Sequence, residues 1–191
     1  MFFIQMAGFP GAGKSTLARE IAKRTGAIII DHDIIKSAFL DVTEEIEMDA
    51  KQAGKISYHL DWTLIESLLA QGHNIIFDSP CLYEEIIMKG TNLAHTYEAH
   101  YKYVECYLNN FDEINVRLKN RQRKRSQIKE ILSIDQFTYA VEGSKKPQDQ
   151  RYLIVDSSQP LDCYIEEVMH YILSEEGREI GEYTYCKSTK K

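Results

Sequence analysis

The chain has 191 residues, 43% of them hydrophobic and 27% charged, the balance of a globular domain rather than a disordered or fibrous chain. No apolar run nears the roughly 18 residues of a membrane span, so no membrane partner is expected. The net charge of −6 is uneven: residues 117–129, RLKNRQRKRSQIK, hold seven Lys/Arg and no acid, while the rest holds 16 against 29 Asp/Glu, which argues against general nucleic-acid coating and suits a local polyphosphate site.

The first element read from the pattern is a strand, Phe2, Phe3, Ile4, Met6 and Ala7. It runs into Gly8-Phe9-Pro10-Gly11-Ala12-Gly13-Lys14-Ser15, which fits G-x-x-x-x-G-K-[ST] at every fixed position. Helical periodicity follows at Leu17, Ala18, Ile21 and Ala22, ending near Arg24-Thr25 with Gly26 as C-cap. Strand, glycine-rich loop and helix are the context this motif requires. Its amides, the helix dipole and Lys14 would hold the β- and γ-phosphates of ATP, with Ser15 and Thr16 following, and the Ser15 hydroxyl would ligate Mg²⁺. The bland alternative is an ordinary strand–turn–helix with a solvated lysine.

Ala27 to Ile30 is a short apolar strand that delivers Asp31-His32-Asp33. Ile34, Ile35, Ala38 and Phe39 sketch a helix with Lys36 on its polar side. Residues 41–49 are acidic, a loop or helix start. A long helix is expected from about Met48 to Gln71, apolar at Ile56, Leu60, Leu64, Ile65, Leu68 and Leu69 and closed by Gly72. Asn74 to Asp78 is the next strand, broken by Ser79-Pro80. Leu82 to about Tyr97 reads as a helix interrupted at Gly90, and Tyr101 to Leu108 as a strand. Asn109 or Asn110 caps a helix from Phe111 to about Asn120, and the basic segment follows. Ile134 to Val141 is a short helix and Tyr152 to Asp156 the last strand. Ser157-Ser158-Gln159-Pro160 opens a final helix with Leu161, Tyr164, Ile165, Val168 and Ile172 on one face. Alternating elements of this kind predict an α/β fold, five parallel strands with helices on both faces. Residues 1–176 read as one domain and 177–191 as a polar, frayed tail.

Cys81, Cys106, Cys163 and Cys186 are too scattered for a disulfide framework or a metal site. With no charged segment ahead of the phosphate loop, they read as free thiols of a cytoplasmic protein or as core residues.

GFPGAGKSTLAREIAKR, DHDIIKS, IIFDSP, RLKNR and VDSSQP together resemble the P-loop kinases related to polynucleotide 5′-hydroxyl kinase, zeta toxin, chloramphenicol phosphotransferase and gluconate kinase. The resemblance covers most of Met1 to Leu173. It implies a three-layer P-loop nucleoside-triphosphate-binding fold with a basic lid, here about residues 117–135. It also implies that Asp33 is the base for the acceptor hydroxyl, and that Arg117 and Arg121, with Arg123 and Arg125 close by, are lid arginines. Gln159 and Pro160 match the place where relatives pass the adenine. The residue matching the family's substrate-phosphate arginine is Lys36, which lacks the bidentate fork.

The residues can also be weighed singly. Asp33 lies where ligands bind in open α/β sheets and can take an alcohol's proton, or it only caps the helix after it. Asp78 ends a strand and can hold Mg²⁺, or it only initiates the turn before Ser79-Pro80; Ser79 then lies near the acceptor. Arg117 and Arg121, one helical turn apart, share a face aimed at the transferred phosphoryl group, or form a solvated basic helix end. Asp31 is a polar strand end, and His32 a surface residue or a ligand. Tyr58, His59, Asp61 and Trp62 wall the acceptor side, Trp62 as core or stacking platform. The function expected is ATP- and Mg²⁺-dependent transfer to a hydroxyl of a small molecule. The alternatives are a 5′-hydroxyl polynucleotide kinase and a nucleotide-binding ATPase module without an acceptor.

Overall fold

A computed structural model describes residues 1–43, 48–81, 83–174 and the backbone of 182–185. The strands are β1 (Phe2–Ala7), β2 (Ile28–Asp31), β3 (Ile75–Asp78), β4 (His100–Tyr107), β5 (Tyr152–Asp156) and β6 (Glu182–Tyr185). The helices are α1 (Lys14–Thr25), α2 (His32–Val42), α3 (Ala50–Ala70), α4 (Glu84–Thr96), α5 (Phe111–Asn120), α6 (Ile134–Glu142) and α7 (Ile165–Leu173), the last preceded by a 3-10 turn, Leu161–Cys163. The sheet runs in the order β2-β3-β1-β4-β5-β6, and every pairing is parallel. The five expected strands are all present. β6, inside the segment read as a tail, adds a sixth outside β5, with Tyr152 opposite Glu182.

Parallel strands need covering on both faces, and β1 shows how one strand serves two layers. Phe2, Ile4 and Met6 enter a core with Leu17 and Ile21 of α1, Ile114 and Leu118 of α5, Phe137 of α6 and Val168 of α7. Phe3 points the other way, to Trp62, Ile65 and Leu69 of α3 and Ala94 of α4. Trp62 is core: its ring meets Phe77 at 4.9 Å and Phe3 at 6.4 Å, edge to face.

Two expectations about helix faces need correction. Ile56, Leu60 and Leu64 are exposed, and the buried side of α3 runs through Ala53, Ser57, Asp61, Trp62, Ile65 and Leu69. Two polar residues in that stripe disguise its period. Gly90 does not interrupt α4. A β-carbon there would lie 2.2 Å from Oε1 of the buried Gln5, whose amide donates to the Ile86 carbonyl at 3.0 Å. The missing side chain is a seat for Gln5. Of the acidic stretch, residues 44–47 lie outside the described residues, as does Cys186.

The register places the site. Asp31 is opposite Asp78, and Asp78 is opposite Met6. The loops leaving β1, β2 and β3 therefore emerge side by side at the carboxyl edge of the sheet. At the first of them, Gly8 has φ +121°, and a β-carbon would lie 2.2 Å from the Cys106 carbonyl oxygen of β4. Gly8→Ala is expected to lower the melting temperature sharply. Backbone strain alone costs roughly 1–3 kcal/mol, or about 2–4 °C per kcal/mol at this chain length, before the overlap is counted. A melting temperature within a degree of wild type would contradict this reading of the loop.

Candidate active site

The loop from Gly8 to Gly13 turns the chain from β1 into α1. Gly13 is the N-cap in left-handed conformation (φ 98°), and no side chain caps the first turn, which also lacks acids. The free N–H groups of α1 are thus left for an anion. Lys14 is buried, and its ammonium donates to the Gly8 carbonyl at 2.9 Å and the Phe9 carbonyl at 3.1 Å. The loop is folded around its own lysine.

A cavity of about 1160 Å³ opens in front of this turn, roomy for a nucleotide and a second small molecule. Pro10, Gly11, Gly13, Lys14, Ser15 and Thr16 border it on the loop side. His32, Asp33, Lys36, Tyr58, Asp78 and Ser79 border it on the other, and Arg117 and Arg121 to Lys124 lie above. Among its described residues are seven Lys/Arg against two Asp, in a chain whose net charge is −6. That inversion concentrates positive potential where a polyphosphate would lie. Ser79 Oγ and Arg121 Nε are buried there without a hydrogen-bond partner. Buried polar atoms left unsatisfied fit a polar guest.

Asp78 is buried, close to Ser15 and Lys14. Burial pushes its carboxyl above the usual range, opposed by the nearby Lys14 and by Ser15. Among the described residues no cluster of three or more His, Cys, Asp or Glu could hold a metal ion. A hydroxyl and a carboxylate side by side suit Mg²⁺, a hard cation that takes its other ligands from water and phosphate oxygens.

Asp33 faces the same cavity. It does not cap α2; Asp31 does, accepting from the Ile34 amide at 3.1 Å. Asp31 also meets Lys124 Nζ at 2.9 Å. The Asp33 carboxylate accepts from Gln127 Nε2 at 2.7 Å and from Ser126 Oγ at 3.4 Å. Ser126 Oγ also donates to the Asp33 carbonyl at 3.1 Å and accepts from Ser37 Oγ at 2.9 Å. Residues 124–127 thus lie across α2, while Asn115 and Ile131, paired at 2.8 and 3.1 Å, anchor the returning arm to α5.

His32 is not a surface residue. It is buried and stacked on Tyr58 with ring centroids 4.0 Å apart, and its Nδ1 lies 2.6 Å from Oδ2 of the fully buried Asp61. The shape of this dyad was invisible as spacing, because its members come from two helices; only the polar residue in the buried stripe of α3 hinted at it. His59, expected in the same wall, is exposed. Asp61 Oδ1 has no partner, and burial raises this carboxyl despite the pull of His32. A carboxyl raised on folding binds its proton more tightly in the folded state. The charged form therefore costs stability above its folded pKa, and that cost fades as pH falls through it. Asp61→Asn keeps an acceptor for Nδ1–H and removes the buried charge, and is expected to raise the melting temperature at pH 7 by roughly 2–4 °C, on about 1 kcal/mol for that charge. The gain should shrink towards pH 4; a gain independent of pH, or a loss at pH 7, would refute the reading.

Arg117 and Arg121 border one cavity but do not share a helix face. α5 stops at Asn120, and Arg121 is already extended, at φ −80° and ψ 150°. Arg121 donates to the Ile128 carbonyl at 2.8 Å, and burial lowers its guanidinium below the usual value. Arg117 is held by Glu113 at 2.5 Å and the Ser157 carbonyl at 2.8 Å. Gly8, Phe9 and Ala12 do not border the cavity. Phe9 packs on Phe137 at 5.1 Å and Ala12 is core, so these side chains brace the loop from behind. Gln159 and Pro160 also lie outside its lining, although Ser157, just before them, is 3.8 Å from a β-carbon built on Gly13.

Strand order, loop and helix together define a P-loop nucleoside-triphosphate-binding fold. The chain belongs to the AAA domain family, which its residues 3–157 match. It is similar in structure to a putative kinase from Chloroflexus aurantiacus, at 16% identity over 89% of this chain and 97% of that one, TM-score 0.69. A gluconokinase from Sinorhizobium meliloti is similar at 17% identity over 90% and 91%, TM-score 0.59. So is the APS kinase CysC of Mycobacterium tuberculosis in complex with AMPPNP and APS, at 14% identity over 91% and 98%, TM-score 0.59. The fold is therefore that of the P-loop kinases that the motifs resemble. No curated protein matches the chain. No helix among the described residues is long and apolar enough to cross a membrane.

Proposed function

We propose that this chain is an ATP- and Mg²⁺-dependent phosphotransferase acting on a hydroxyl of a small molecule. The observation that carries this is the single cavity with the bare N-terminus of α1 and Lys14 on one side and the Asp33 carboxylate on the other.

The residues divide the work as follows. The amides of Gly11, Gly13, Lys14 and Ser15 and the Lys14 ammonium hold the β- and γ-phosphates, with Pro10 and Thr16 beside them. Ser15 and Asp78 hold Mg²⁺, which when bound screens charge on the phosphate oxygens. Asp33 accepts the proton of the acceptor hydroxyl once Gln127 and Ser126 move off it. Arg121, and Arg117 if released from Glu113, face the transferred phosphoryl group and favour charge that grows there. Gln159 and Pro160 hold the adenine beyond the cavity's rim. Lys36 and Ser79, with His32 and Tyr58, line the acceptor's end.

The acidic body favours a small acceptor over a polynucleotide. Incubation with ATP, Mg²⁺ and a panel of sugars, sugar acids, nucleosides and 5′-hydroxyl oligonucleotides tests this. Acceptor-dependent ADP release with one of the small molecules is expected. Turnover with oligonucleotides alone, weakening steeply with salt, would reassign the acceptor. ATP hydrolysis that no acceptor accelerates would favour the ATPase module.

A further inference from the structure

Six hydroxyls border the cavity: Ser15, Thr16, Tyr58, Ser79, Tyr83 and Ser126. Of these, Ser126 is the one hydrogen-bonded to Asp33. Its bonding is that of a seated nucleophile. One oxygen lone pair accepts from Ser37 Oγ at 2.9 Å. Its proton is directed at Asp33, shared between the carbonyl at 3.1 Å and the carboxylate at 3.4 Å. The second lone pair is left over. The backbone amide of Ser126, donating to Ser37 Oγ at 3.1 Å, fixes the position from behind.

We propose that Ser126 is an autophosphorylation site, the chain's own hydroxyl occupying the place of the acceptor on Asp33. The inference rests on the kinase reading above. In the step, Ser126 Oγ forms a bond to the γ-phosphorus of ATP while the bond from that phosphorus to the β,γ-bridging oxygen breaks. The proton passes to Asp33, and ADP leaves with the bond's electron pair. Nothing beyond ATP is consumed. Tethering replaces a second-order encounter by an intramolecular one, worth many orders of magnitude in effective concentration when the geometry is right.

The product has a physical consequence. A phosphoserine carries about −1.5 to −2 charges at pH 7, here against the Asp33 carboxylate. It would break the hydrogen bonds that Ser126 makes to Ser37 and Asp33 and lift residues 124–127 from α2. Modification would thus leave the base uncovered.

The test uses the full chain with Mg²⁺ and γ-³²P-labelled ATP and no added acceptor. The expected result is incorporation approaching one phosphate per chain, at a first-order rate independent of protein concentration, mapped to Ser126 by mass spectrometry. Ser126→Ala should incorporate nothing, Ser126→Thr should retain labelling, and Asp33→Asn should slow it on the order of a hundredfold. Phosphate on another residue, or a rate that rises with protein concentration, overturns the proposal. So does wild-type protein that binds ATP in a Lys14-dependent way yet takes up no label, an outcome that leaves the kinase reading standing. A chain that binds no ATP overturns both.

Discussion

Lys14→Ala lowers phosphoryl transfer by on the order of 10²–10³-fold, the usual loss when a charge-stabilising donor is removed from a dry site. The structure explains why this change should dominate. Lys14 is the cation built into the loop itself, buried and held by the Gly8 and Phe9 carbonyls. A triphosphate has only to draw the ammonium from those two oxygens. Truncation also strands the two carbonyls, each worth about 1 kcal/mol, so part of the loss would come through the loop's shape. Lys14→Met keeps the buried stem but, like alanine, leaves both carbonyls without a donor. It should recover only the packing part of the lost stability and leave transfer as low as in the alanine variant. Transfer at the wild-type rate in either variant rules out the mechanism.

Asp33→Asn removes a proton acceptor while leaving an oxygen for Gln127 and Ser126 to bond. Turnover with the acceptor is expected to fall by roughly 10²–10⁴-fold, the range for a lost general base. The dissociation constant for ATP should stay within about threefold, because the phosphates are held from the loop side of the cavity. Steady-state turnover beside direct binding of a non-hydrolysable ATP analogue makes the comparison. Equal losses in both would show that Asp33 only shapes the cavity.

Much of this was legible in the chain, for local reasons. β1, the loop and α1 are contiguous, so their chemistry sits in one stretch of sequence. Gly26, Asn110 and Asp156 mark ends of elements where the pattern placed them. What stayed hidden depends on contacts between distant segments. The His32–Asp61 pair joins two helices and puts a carboxylate into a buried stripe, which breaks the apolar period of α3. Arg121 leaves the helix without a glycine or proline to announce it. Phe9 reads as a loop variable until Phe137 arrives from α6. Gln127, whose amide covers Asp33, lies 94 positions away in sequence and carries no motif.

The sixth strand bears on how copies of the chain behave when crowded. β5 would otherwise show its outer row of peptide groups to any neighbour able to extend the sheet. β6 takes up that row with only four residues, Glu182–Tyr185. A rim that brief offers little purchase for intermolecular zippering, one of the ways proteins stay monodisperse despite an open sheet.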